Sequence, residues 1–519
     1  MASATDTQTR DALRRDDSTL LSRIADNPRP ALRWGAVMGA LVLIEFGAFL
    51  GGFLTVVEAL MVAVTALVEV SLGPVAPSLA SGVLSFQKDA SKFLSGLRAD
   101  AEAIPTLLSR ELIPNQGYQP GGTGAWESTF LGLSPAYAWA IRLLLILAYA
   151  FFLSYWLFRG WLVFREHYRR VEWSPTDDVV DKLRGHRWGQ FGIVVLVLFL
   201  TMGLFGPAMG PTTVEQNILS PYGENHKIKY WSEETGSVET VFAGKANFKS
   251  KSIGSQDSNV GPMTYDDYGR FHPFGTLTNG RDLFTFMMGG ARISLIVTGI
   301  AIGIGTFLAG GLAMVAAFYK GTIDLGILTL ADGIVSVPRL LLLIMVSAVF
   351  ASHWLGEVLD GGFLLAVIFG LTMWPFLWRA VRGPALQVSQ EAWVDAAKSF
   401  GQRPSVIMRK HMFPYIMGYL LIYASMSAGG IIISLSALSF LGNGMGISPP
   451  TPAWGRAISL GQGLVSGPSW HISFIPGAMI VLLVTGMNAF GDGLRDAIDP
   501  ESDTGGGGGG ESTAAGGGG

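Results

Sequence analysis

Side chains able to do chemistry are few in this 519-residue sequence, and they stand apart from one another. Its seven histidines are scattered and it has no cysteine. It contains no HExxH pair, no GxSxG elbow and no GxxxxGK[ST] phosphate loop. Thiol nucleophiles, disulfides, Cys-ligated zinc and iron–sulfur clusters are thereby excluded. No catalytic or metal site is expected, and the chain has no loop of that kind with which to hold ATP. Two kinds of candidate remain. The first is an ionisable group inside an apolar run. Asp332 lies about 13 Å of helix from the cytoplasmic end of its run, a costly depth unless the group faces a cavity or a partner. It faces a cavity, or it pairs with an arginine such as Arg379, or its span begins later. Pro338 should kink the same helix. Glu45 reads as a packing or accessory contact. The second candidate is mechanical. In residues 391–414, Trp393, Ala396, Ala397 and Phe400 recur at helical spacing, Gly401 stands where a helix ends at positive φ, Pro404 can open a second helix, and Pro414 stops it. Two short amphipathic helices at a fixed angle would lie on lipid headgroups or dock in a partner's groove.

The elements that must position these groups are membrane helices. With 49% hydrophobic residues, 14% charged residues and a mean hydropathy of +0.40, the chain is an all-α polytopic membrane protein. A net charge of −3 leaves no basic footprint for nucleic acid. Runs of about 20 apolar residues occur at 34–72, 137–163, 191–209, 294–319, 325–351, 363–378, 415–438 and 475–490, which makes about eight spans. The basic loop holding Arg165, Arg169 and Lys182, and the stretch from Arg379 to Lys410, are expected inside. Parity then makes 34–72 one span with an extension, although its length also allows two. It places 73–132 and 210–279 outside and both termini in the cytoplasm. Residues 1–33 read as a retained tail and 501–519 as a disordered glycine-rich one. Gly299 with Gly303, and Gly47 with Gly51, have the GxxxG spacing of helix packing. Trp374, Trp378, Trp454 and Trp470 read as interface anchors.

Asp395, Ala396, Ala397 and Gly401, followed by His411 and Pro414, resemble the EAA signature of the permease subunits of ABC importers. Asp395 stands at the usual Glu, and Phe413 at the usual Leu. Before the fourth run, His272, Gly275, Thr276, Gly280, Arg281, Asp282 and Arg292 are similar to the HPxGTDxxGRDxxSRxxxGARxSL pattern of the dipeptide, oligopeptide and nickel group, in its C-type permease. Leu277 replaces the pattern's Asp, and Thr285 and Phe286 its Ser-Arg pair. Residues 438–442, 449–455 and 491–500 resemble the last external loop and carboxyl-terminal signature, with Leu435 where Glu is usual. The resemblance runs from about 190 to 500.

The resemblance implies a type I importer bundle of about six core spans in the cell membrane, following an amino-terminal extension at 34–187. A first core span and external loop would occupy 188–289, and a permease core 290–500, with the coupling helix in 388–414. It implies a second homologous permease, two cytoplasmic ATPases that carry the ATP and magnesium, an external binding protein, and no cofactor on this chain. His272 to Arg292 would form the external, binding-protein side. Asp332 and Pro338 would lie along the path. The cargo would be a dipeptide, an oligopeptide, nickel or another small solute. The rival readings are an ion-coupled secondary transporter and a membrane scaffold or sensor.

Overall fold

A computed structural model of the chain describes residues 19–47, scattered positions from 49 to 68, and residues 76–102, 104, 106, 109–169, 175–350, 353–442 and 446–498. Its helices in chain order are α1 (Leu20–Asp26), α2 (Pro28–Ile44), α3 (Pro77–Glu102), α4 (Pro135–Val163), α5 (Pro175–Gly185), α6 (Arg187–Met209), α7 (Ala243–Lys249), α8 (Leu283–Tyr319), α9 (Gly321–Ser336), α10 (Arg339–Val349), α11 (Trp354–Glu357), α12 (Gly362–Val388), α13 (Ala392–Ser399), α14 (Pro404–Ile407), α15 (Phe413–Leu441), α16 (Trp454–Gly461) and α17 (His471–Ile498). Among the described residues, six stretches are long and apolar enough to cross a membrane. They are built on α4, α6, α8, α12, α14 with α15, and α17. Helices α9 and α10 together make a seventh, broken by an 81° bend. The break falls at Val337 and Pro338, where the ring removes a donor and disfavours helical backbone in the residue before it.

The long helices pack because small residues let their backbones meet. At α6 against α17, a Cβ on Gly192 would lie 2.6 Å from the Gly486 carbonyl oxygen. At α8 against α12, the most extensive pairing, a Cβ on Gly370 would lie 2.7 Å from Ile304. In lipid, where burial of apolar surface gives no drive to associate, such close approach supplies the van der Waals gain. One apolar cluster joins α8, α12 and α15. A second joins α4, α6, the start of α8, α16 and α17.

The bundle has two ends. The starts of α4, α8, α12 and α17 share one end with the close of α6, and there residues 210–282 form a cap. The cap holds the antiparallel hairpin β1 (Lys227–Ser232) and β2 (Ser237–Phe242), then α7, then the short pair β3 (Thr264–Tyr265) and β4 (Phe271–His272). At the opposite end α13 and α14 connect α12 to α15.

Several expectations change. The run 34–72 is described through α2 and in scattered positions beyond it, so the question of one span or two lies outside the described residues. The polar stretch 73–132 carries the 26-residue helix α3. Gly299 and Gly303 face open space, whereas Gly47 packs against the Ala101 backbone. Trp374, Trp378 and Trp454 are buried in the protein, and only Trp470 is exposed. Trp454 donates its Nε1 hydrogen to the Met287 carbonyl at 2.8 Å, tying α16 to α8. Pro414 opens α15 instead of stopping a helix. A π-turn at Met408–Met412 precedes it, and the Phe413 amide reaches the Met408 carbonyl. The wider turn absorbs the donor that proline lacks, so α14 runs on into the span.

Candidate functional site

At the connection end, α13 is held by one face and bare on the other. Val394 and Ala397 are buried with Ile407 of α14 against Phe318 near the end of α8. Lys398 Nζ lies 5.4 Å from the centre of the Phe318 ring and 3.1 Å from Asp395 Oδ1. Trp393, Ala396 and Phe400 project the other way, and Phe400 is 86% exposed. Gly401 has φ +71°. Its amide donates to the Lys398 carbonyl at 2.9 Å, and the Gln402 amide donates to the Ala397 carbonyl at 3.2 Å. This is a Schellman ending, which requires the left-handed residue and sets the angle between α13 and α14. His411 lies with Nε2 3.3 Å from Gln402 Oε1 and its ring 5.9 Å from Trp393, bracing the same corner. The site therefore joins Asp395, Ala396, Ala397, Gly401 and His411 into one rigid knuckle, fixed to α8 and presenting an apolar ridge.

The cap motif does the opposite. His272 is enclosed between two carboxylates, with Nδ1 2.8 Å from Asp282 and Nε2 3.4 Å from Asp266. Asp266 also accepts from Arg270 Nε at 2.7 Å and from the Ser250 hydroxyl at 2.8 Å. Burial would push the Asp266 carboxyl up, but Arg270, His272 and Ser250 hold it well below the usual range. Burial would lower the His272 pKa, but the hydrogen bonds its ring donates to the Asp266 and Asp282 carboxylates, with their charge, raise it. Asp282 also caps α8, accepting from the Thr285 amide at 2.6 Å. Thr276 donates to the Ser250 carbonyl at 2.7 Å, and its own carbonyl meets His471 Nε2 of α17 at 3.0 Å. Gly280, at φ +78°, sits so close to α7 that a Cβ would overlap the Asn247 carbonyl.

His272, Gly275, Thr276, Gly280 and Asp282, expected on the external, binding-protein side, are thus buried and engaged within the cap and offer no surface of their own. They fasten the cap onto α8 and α17. Of that set, Arg281 and Arg292 remain partly accessible. Among the described residues, no group of three or more His, Cys, Asp or Glu is arranged to hold a metal.

Two arginines escaped the sequence reading. Arg142 of α4 is buried and donates to Asn115 Oδ1 and to the Gly210 carbonyl, both at 2.7 Å. Arg110 donates to the carbonyls of Gly210, Pro211 and Thr212 at 2.6–2.8 Å. Both guanidiniums sit on the carbonyl-rich end of α6, where the helix dipole favours cations. They lock the segment before α4 to the core. A lone Arg in an apolar run gives no hint of this partner. Asp332 forms an ion pair with Arg379 of α12, and Asp324 one with Arg382, so α9 is stitched to α12. Glu45 is buried where α2 ends.

A family profile for binding-protein-dependent transport system inner membrane components matches residues 301–503. The chain is 35% identical over 231 residues to the glutathione transport system permease protein GsiD of Escherichia coli O157:H7, covering 44% of this chain and 72% of that protein. It is 33% identical over 230 residues to the dipeptide transport system permease protein DppC of Alkalihalophilus pseudofirmus, with the same coverage of 44% and 72%. To the GsiD protein of Pectobacterium atrosepticum it is 32% identical over 245 residues, or 46% of this chain and 77% of that one.

Proposed function

The chain belongs to the binding-protein-dependent transport system inner membrane components, and from that premise we propose that it carries di- or oligopeptides, glutathione among the candidates, as one of two permeases in an ATP-driven importer. The observation that carries the mechanical part is the ridge of Trp393, Ala396 and Phe400, exposed on a helix whose other face is anchored to α8. A cytoplasmic ATPase would take that ridge into a groove. Because the Schellman turn and Phe318 make the knuckle rigid, motion of the ATPases on binding ATP and magnesium would pass into α8 and α15 as rigid-body movement. The differential affinity of those partners for the two states would bias the pathway.

A second permease would cover the bent pair α9 and α10. Their concave side forms an apolar cavity of about 810 Å³ lined by Leu325, Leu330, Ile334 and Leu342, and Leu341, Met345 and Val349 are bare nearby. Asp332, with its Arg379 partner, stands on the same helix, and an opening of that pair toward the path would accompany the transport cycle. The cap end would face outward, toward a binding protein, with both termini inside.

The test is gentle solubilisation of the tagged chain, with Phe400→Asp alongside. Recovery of a second permease and ATPases, with the ATPases lost from the variant, is the expected result. A chain that purifies alone would overturn the reading and favour an ion-coupled carrier, to be probed by Asp332→Asn in a proton-coupled uptake assay. Cargo follows from uptake in vesicles of the binding protein's preferred peptides against nickel.

A further inference from the structure

The cap carries a surface cavity of about 340 Å³ that neither the buried network nor the knuckle uses. Its floor is Gly244 and Asn247 of α7. Tyr222 lies against Gly244, where a Cβ would come within 2.5 Å of the ring. Phe248 forms the other wall. Tyr222 is 65% exposed and Phe248 61% exposed. Two cations stand at the rim. Lys251 Nζ lies 3.7 Å from the centre of the Phe248 ring. Arg281 is delivered by a tight turn, in which the Gly280 amide donates to the Leu277 carbonyl and the Leu277 amide to the Arg281 carbonyl, both at 2.8 Å. Gly280 lets that turn press on Asn247, so the guanidinium is set beside α7 by the same packing that builds the cap.

No carboxylate lines this cavity among the described residues, and neither Lys251 nor Arg281 makes an ion pair there. A half-buried guanidinium with no counter-ion is costly, and burial lowers the pKa of Arg281 from its usual value. Exposed aromatics beside unpaired basic groups are the composition of a protein-contact hot spot. We propose that this cavity receives an acidic side chain of the external binding protein, its carboxylate between Lys251 and Arg281 and its stem between Tyr222 and Phe248. The proposal rests on the importer reading and on the cap facing outward. The partner is a protein because the cavity is shallow and its walls are exposed rings.

The test uses the assembled complex in lipid discs together with the binding protein that co-purifies with it. A carbodiimide, which joins an amine to a carboxylate only where the two touch, should link Lys251 to an Asp or Glu of that protein. In binding titrations Lys251→Glu should weaken affinity at least tenfold at low salt and flatten its salt dependence. Arg281→Lys should lose less than Arg281→Gln. Lysine on the linked acidic residue of the binding protein should restore binding to Lys251→Glu. If other lysines link while Lys251 does not, and affinity is unmoved in Lys251→Glu, the proposal is overturned. It is equally overturned if binding is unmoved by Lys251→Glu but the cavity is protected by anionic lipid in the discs, which would assign it to a headgroup. Failure to recover any binding protein with the wild-type chain would instead count against the importer reading.

Discussion

The two ends of the molecule carry motifs of similar length and similar clarity, yet they use them in opposite ways. At the connection end, the residues around Gly401 bury Val394 and Ala397 and leave Trp393 and Phe400 bare. At the cap end, His272, Thr276 and Asp282 are all sealed inside. A recurring pattern of residues thus marks either a surface that meets another molecule or a knot that holds the chain together, and residue types alone do not separate the two. Burial does. The knuckle offers an exposed surface, and the cap motif is a fastening.

That contrast can be broken most forcefully at the fastening. Asp266→Ala leaves Arg270 and His272 buried without their shared carboxylate, which should cost about 3–5 kcal/mol. Proteolysis of the cap at low protease and hydrogen exchange over 264–282 would report it. Next is Gly280→Ala, which adds strain at positive φ to an overlap with the Asn247 carbonyl. About 2–4 kcal/mol is expected from the two together, read as a lowered melting temperature.

A pH series sharpens the same point. His272 has a folded pKa above its ordinary 6.5, so its contribution is complete below the unfolded pKa and is lost as pH rises through the folded one. Asp266, held below its ordinary 3.8, contributes above that value and fails only as pH falls through its lower folded pKa. Cap stability should therefore decline on the alkaline side, and His272→Asn should flatten that decline. Gly401→Ala, by contrast, meets nothing within 4 Å and should cost only about 1–2 kcal/mol of backbone strain. Its transport defect should exceed what that instability explains, because the angle of the knuckle changes. Smallest of all on stability is Phe400→Asp, within about 0.5 kcal/mol, although ATP-driven uptake should fall at least tenfold.

Much of this architecture could be read before any coordinates. Runs of apolar residues mark helices because lipid permits little else. Gly401 and Pro404 mark a corner because few other residues end and begin helices that way. Where the reading faltered, a residue type had two physical uses. Trp378 and Trp454 could anchor at an interface or fill a core; both fill the core, Trp454 in the room left by Gly290. Gly299 and Gly303 had the right spacing but the wrong face. Arg110 and Arg142 could not be paired with the end of α6 because their acceptors are backbone carbonyls, which carry no letter in the sequence. The Asp332–Arg379 pair was one of the readings left open, since the two positions fall on separate runs.

Because the chain has no cysteine, single introduced thiols test the central contrast directly. Maleimide labelling would compare Phe400→Cys with Thr276→Cys, in the isolated chain and in the complex with its ATPases. The account predicts that Phe400→Cys reacts readily alone and is protected on assembly, while Thr276→Cys is protected in both. A Thr276→Cys thiol that labels in the folded chain, or a Phe400→Cys thiol whose reactivity is unchanged by the ATPases, would contradict it.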